Sequence, residues 1–170
     1  RVLLLGWSRR VPALLAEFES YTNQKFHVTI VSRYPVEERD DRIESYGCAF
    51  ERTKVHEVLS DYTVPERLVE LEPESFDSVF CLASDGTKSD QEADARTLVA
   101  YAILRDMLEG KEKKPRIMLE LLDELNTVLV DPRECEYILT PQILSHILVQ
   151  VSLRRELNAV FQELFNSSET

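Results

Sequence analysis

Short apolar runs alternate with amphipathic segments along most of the chain, and that alternation predicts a parallel sheet covered by helices. Residues 2–5 are uniformly apolar and end at Gly6, as expected of a central strand buried on both faces. Over residues 12–21, Leu14, Leu15 and Phe18 recur at helical spacing, and Pro12 is tolerated because it falls in the first turn. Residues 26–31 predict a second strand, and the charged stretch 36–46 a second helix that Gly47 ends. A third strand at 53–60 and a short helix at 64–71, begun beside Pro65, come next. The run "SVFCLA" at 78–83 predicts the fourth strand. Ser89 and Glu92 have capping-box spacing at the head of a helix reaching about residue 108, with Leu98, Val99, Ala102, Ile103 and Met107 on its apolar face. Residues 116–121 and 136–140 complete six strands, with a short helix at 123–128 between them. The expected fold is α/β, a doubly wound parallel six-stranded sheet.

The segment 141–165 differs in kind. Ile143, Leu144, Ile147, Leu148, Val151, Leu157, Val160, Phe161, Leu164 and Phe165 predict one long helix, too apolar for one side of this sheet to satisfy. It is either a long core helix or one that packs on another domain or subunit. The apolar count favours the second, with Ile143, Leu144, Ile147, Leu148 and Val151 as the interface and His146 beside them. The chain thus divides into a lobe at 1–140 and, at 141–170, a terminal helix with a polar tail from residue 166.

Length and charge narrow the function classes. At 170 residues the chain makes one domain with a single sizeable core. Its 31 acidic against 20 basic residues give a net charge of −11, which repels phosphate backbones and makes nucleic acid an unsuitable partner. Cys48, Cys81 and Cys135 fit neither a disulfide framework nor a zinc site and read as reduced structural thiols. No apolar run approaches the ~18 to 20 residues that span a bilayer. The first strand begins at Val2 with no initiator methionine, so a piece of a longer protein is expected.

In a doubly wound sheet, ligands bind outside the carboxyl ends of the strands where their order reverses, here the loops 6–10 and 84–89. Gly6, Trp7, Ser8, Arg9, Arg10, Arg33 and Asp85 are therefore the candidate ligand residues. Of the three glycines of a dinucleotide turn only Gly6 is present. Ser8 stands where pyrophosphate would lie, and Val11 holds helix and strand apart, so NAD(P) is disfavoured. Arg9 and Arg10 at a helix N-terminus could still attract an anion. Ser32 and Arg33 replace the ribose-binding acid; Arg33 suits a phosphorylated ribose or is a solvated loop residue.

Asp85, Asp90, Glu92 and Asp94 crowd the fourth-strand loop. Asp85, Asp90 and Asp94 offer oxygen ligands for Ca²⁺ or Mg²⁺, although carboxylates also gather at helix N-termini to complement the dipole. The acidic runs at 37–41 and 120–124 read as solvated faces. His27, His56 and His146 form no ligand or catalytic pattern, and no nucleophile elbow, Cys/His pair or P-loop occurs, so a non-catalytic protein is expected.

Three stretches together resemble the RCK-type (TrkA-N-like) regulatory domains of ion channels, and among them those of CASTOR/POLLUX-like channels. They are "LLLGWSRR" at 3–10, "LEPESFDSVFCLASDGTKSDQEADARTLVAYAILRD" at 71–106 and "YILTPQILSHILVQVSLRRELNAVFQELF" at 137–165. The resemblance implies a Rossmann-like lobe whose terminal segment is a crossover helix. Such lobes pair through that helix, as dimers within a tetrameric cytosolic gating ring, and pull on the transmembrane pore of the full-length protein. It implies crevice residues Gly6 to Arg10, Arg33, Asp85 and Asp94, a response to Ca²⁺ in CASTOR-type members, and nucleotides or other cations in other members. Two other classes compete with the channel reading: a nucleotide-sensing domain of an ion transporter and a divergent NAD(P)-dependent oxidoreductase.

Overall fold

The computed structural model describes residues 1–154 and 156–165. The polar tail at 166–170 lies outside the described residues, as do the side chains of Leu164 and Phe165. Six strands, β1 (Val2–Leu5), β2 (Phe26–Ser32), β3 (Thr53–Leu59), β4 (Ser78–Cys81), β5 (Arg116–Leu121) and β6 (Glu136–Leu139), form one sheet in the order β3-β2-β1-β4-β5-β6. Every pairing is parallel. The fold is Rossmann-like, and the order reverses between β1 and β4.

Strand periodicity sorts the core into two layers. Leu3 and Leu5 of β1 face one side, with Val79, Cys81, Leu104 and Leu119; Val2 and Leu4 face the other, with Trp7, Val11, Leu15 and Ile30. The helices α1 (Val11–Ser20) and α2 (Val36–Ser45) cover the second layer, while α3 (Pro65–Val69) and α4 (Asp90–Leu108) cover the first. The expected cap of α4 is present: Glu92 N–H donates to Ser89 Oγ at 3.2 Å, and Glu92 Oε2 accepts from Lys88 N–H at 2.9 Å. Gly47, at φ 76°, follows α2 in the left-handed conformation that ends helices. On α1, Glu19 accepts backbone N–H bonds from Glu51, Arg52 and Thr53, tying the helix to the head of β3.

Three expectations change. The short helix before β6 is a 3-10 helix at Glu124–Leu129. The terminal segment is two helices, α5 (Thr140–Leu153) and α6 (Glu156–Phe165), because Arg154 leaves helical geometry at φ −139° and ψ 93°. The run at 37–41 is not a wholly solvated face: Arg39 is fully buried. Its guanidinium lies 3.2 Å from Glu57 Oε1 and donates to the Ile30 and Val58 carbonyls at 3.4 Å each. A helix residue flanked by acids reads as exposed, yet the long arginine side chain folds under α2 and meets Glu57 on β3, whose carboxyl pKa burial pushes up to about 8.

Candidate functional site

The loops after β1 and β4 meet at the reversal point, and they are bonded to each other. Trp7 N–H donates to Ser84 Oγ at 3.2 Å, Asp85 N–H to the Trp7 carbonyl at 2.8 Å, and Arg9 N–H to Asp85 Oδ2 at 2.6 Å. Gly6 makes this approach possible. At φ 106° it is left-handed, and a Cβ there would stand 2.6 Å from Ser84 Oγ and 2.7 Å from the Leu82 carbonyl. The glycine that gives a dinucleotide turn its tight bend here also admits the loop that follows the fourth strand.

The head of α1 is correspondingly full. Arg9 N–H is held by Asp85, Arg10 N–H by Ser8 Oγ at 3.3 Å, and Val11 N–H by the Ser8 carbonyl at 3.0 Å. A carboxylate thus stands where the helix dipole would hold an anionic ligand. The arginines are engaged as well: Arg9 Nε lies 3.6 Å from Asp85, and Arg10 Nη2 2.7 Å from Glu120. Ser8 is buried and bonded within its own turn. Trp7, 1% exposed, contributes its backbone to the crevice; its ring stacks at 6.3 Å on Tyr34 and lies 5.9 Å from the Arg39 guanidinium, in the core.

Beside these loops lies a cavity of about 360 Å³ whose walls include Arg33, Tyr62, Ser84, Asp85 and Arg96. Its charges converge on Asp61, at the end of β3. Arg96 Nη2 from α4 donates to Asp61 Oδ1 at 2.8 Å, and Arg33 Nη1 stands 3.6 Å from Oδ2. Burial raises the Asp61 pKa, but the Thr63 hydroxyl and N–H and the Arg96 guanidinium outweigh it and hold the group at about 2. Arg96 also lies 5.0 Å over the Tyr62 ring, whose hydroxyl is 3.0 Å from Ser84 Oγ. The crevice is a closed polar circuit of fixed charge, and Arg33 is the more exposed of the two arginines that face Asp61.

The acidic residues of the loop do not gather. Asp85 faces α1, while Asp90 borders a separate shallow depression with Asp123 and Glu124. Asp94 is fully buried and accepts from Leu122 N–H, Asp123 N–H and Asn126 Nδ2 at 2.7–2.9 Å, which ties α4 to the end of β5. Among the described residues, no three His, Cys, Asp or Glu side chains are grouped to hold a metal ion.

Asp61, Tyr62, Ser84, Arg96 and Glu120 were not among the candidates. Glu120 sits in the run read as a solvated face, yet its side chain is 12% exposed. Its position on β5, one of a period-2 pattern ending at the crevice, was the available signal; Arg96 carried one in the helical spacing after Ser89.

The terminal helix is the other candidate surface. Ile143, Leu144 and Leu148 of α5 are 46%, 58% and 61% exposed, with Val149 and Leu153 also open, whereas Ile147 and Val151 are half-buried. No Asp, Glu, Lys or Arg lies on α5. No helix among the described residues is long and apolar enough to cross a membrane.

No family model matches the chain. It is similar to ion channel POLLUX of Lotus japonicus, 22% identical over 97% of this chain and 22% of that protein. Similar too are a probable ion channel CASTOR of Oryza sativa subsp. japonica, 23% identical over 97% and 22%, and ion channel CASTOR of Lotus japonicus, 21% identical over 97% and 23%. The chain spans about a fifth of the length of the curated relatives it matches. These relatives are named ion channels, not enzymes, and the resemblance met in the sequence stands: over nearly its whole length the chain is similar to a part of the CASTOR/POLLUX ion channels.

Proposed function

We propose that the chain is a ligand-sensing regulatory lobe of a cation channel, a cytosolic part of a gating ring that couples the crevice to a transmembrane pore. The observation that carries this reading is the bonding of the two crevice loops to each other through Asp85, Arg9, Trp7 and Ser84. Loops closed on themselves make a two-state element: a ligand that binds better to the open arrangement shifts the population, and the shift is available to a distant pore. The lobe has no catalytic role in this reading, and other lobes of the same channel are its partners. The uncharged, apolar face of α5 suits a second copy of this acidic chain, because association there brings no like charges together.

The residues present do not by themselves fit a calcium ion. Asp85 is engaged by Arg9, Asp94 by three donors, and Asp90 stands apart. Calcium sensing therefore requires oxygens from another lobe beside those of Asp85. Dinucleotide in the usual pose is disfavoured, since its pyrophosphate would meet the Asp85 carboxylate at the head of α1.

Calorimetric titration of the chain and of the full-length channel with calcium, NADH, NADPH and ATP tests the proposal. Binding of one of these that shifts pore opening is the expected result, weakened about tenfold or more by Arg96→Met where the ligand is a nucleotide and by Asp85→Ala where it is calcium. Hydride transfer from bound nicotinamide to any acceptor, or pore opening indifferent to every crevice substitution, overturns it.

A further inference from the structure

Glu120 is the point where three elements meet. Its Oε1 forms an ion pair with Arg10 Nη2 at 2.7 Å and accepts from Thr140 Oγ1 at 2.6 Å, and its Oε2 accepts from Ala83 N–H at 3.1 Å. Arg10 belongs to the β1 loop, Ala83 to the end of β4, and Thr140 is the first residue of α5. One largely buried carboxylate thus joins both crevice loops to the terminal helix. Two donors and an ion pair leave it little freedom, and a charge-assisted bond in a low-dielectric setting is stiff.

The rest of α5 is weakly held. Its N-cap, Leu139, supplies no side-chain bond, its main packing partners are β6 and α6, and most of its apolar residues are exposed. Such an element responds readily when a tether is altered. On the other side of Glu120, Arg10 directly follows Arg9, whose N–H is held by Asp85. Displacing Asp85 frees the β1 loop, the loop carries Arg10 with it, and Glu120 passes the change to Thr140.

We propose that Glu120 is the coupling residue between the crevice and α5, acting through Arg10 on one side and Thr140 on the other. This rests on the regulatory reading of the crevice, and it names the residue through which that regulation leaves the site. A chain of contacts is not by itself a coupling, so the test measures transmission rather than contact.

Amide hydrogen exchange across α5 in the full chain is the readout, and Asp85→Ala is the perturbation of the crevice. With Glu120, Arg10 and Thr140 intact, Asp85→Ala changes exchange in residues 144–153 by at least about threefold, as expected for groups in one network. Thr140→Val cuts the helix arm, and Arg10→Met the crevice arm. In either background Asp85→Ala alters exchange in the crevice loops only. The proposal is overturned if Asp85→Ala leaves α5 unchanged in the parent chain, or still changes it in either cut background. Because the crevice is perturbed by substitution, a crevice that binds neither calcium nor nucleotide defeats the regulatory reading and leaves this result standing.

Discussion

At the crevice, the polar groups that a ligand would use are already paired inside the chain, whereas on α5 the apolar groups that a core would use have no core. Asp85 fills the head of α1, Asp61 binds Arg96 and faces Arg33, and Glu120 has three partners. On α5, Leu144, Leu148 and Leu153 are more than half exposed. The difference separates two ways a surface can be functional. A satisfied polar site acts by exchanging one set of partners for another, at small net free energy, which suits a switch. An unsatisfied apolar face acts by finding its one missing partner, which suits assembly.

The largest expected effect comes from breaking the closure at Gly6. Gly6→Ala puts a Cβ against Ser84 Oγ and the Leu82 carbonyl in a left-handed backbone, and costs at least about 3 kcal/mol from strain and overpacking together. Urea denaturation reads it directly. A loss below about 1 kcal/mol means that the two loops yield easily and do not define a closed state.

Next is Asp61→Asn, which removes the carboxylate shared by the two crevice arginines and costs about 2 kcal/mol at neutral pH, the range for bonds to charged groups. Because the folded chain holds this group at about 2, below its ordinary 3.8, the stabilisation is fully present above the ordinary value and fades as pH falls toward 2. Melting temperatures of parent and variant therefore converge between about pH 4 and pH 2. Curves that stay parallel through that interval would remove Asp61 from the circuit.

The closure and the exposed helix were not equally legible in the sequence. Strand periods and the Ser89 cap pointed to the fold, because those signals are local. The exposed face of α5 was also legible, since an apolar helix with no charge is visible in its own residues. What occupies the head of α1 was not. Asp85 reaches Arg9 across 76 positions and Arg96 reaches Asp61 across 35, and neither pairing leaves a mark within a helical or strand period. Asp85 and Asp94, offered as metal ligands, and Glu120, read as part of a solvated face, accept from backbone N–H groups or pair with arginines, since chain-distant donors decide the role of an acid. The break at Arg154 was missed for a related reason: no Gly or Pro stands at 141–165 beyond Pro141, and nothing local marks the end of α5.

The smallest effect on the lone chain, and the sharpest on its assembly, is expected of Leu148→Glu. The side chain is 61% exposed, so an isolated chain loses no more than about 0.5 kcal/mol, within the range of surface substitutions. If a second copy covers α5, the same substitution places a carboxylate in an otherwise uncharged contact between two chains that each carry a net charge of −11. Desolvation of that charge and its repulsion from the symmetry-related glutamate both oppose association. Sedimentation should then show a parent dimer and a variant monomer with the same melting temperature when dilute. An unaltered mass would leave α5 without a second copy as its partner, and a variant that no longer folds would show that Leu148 belongs to the lobe's own core.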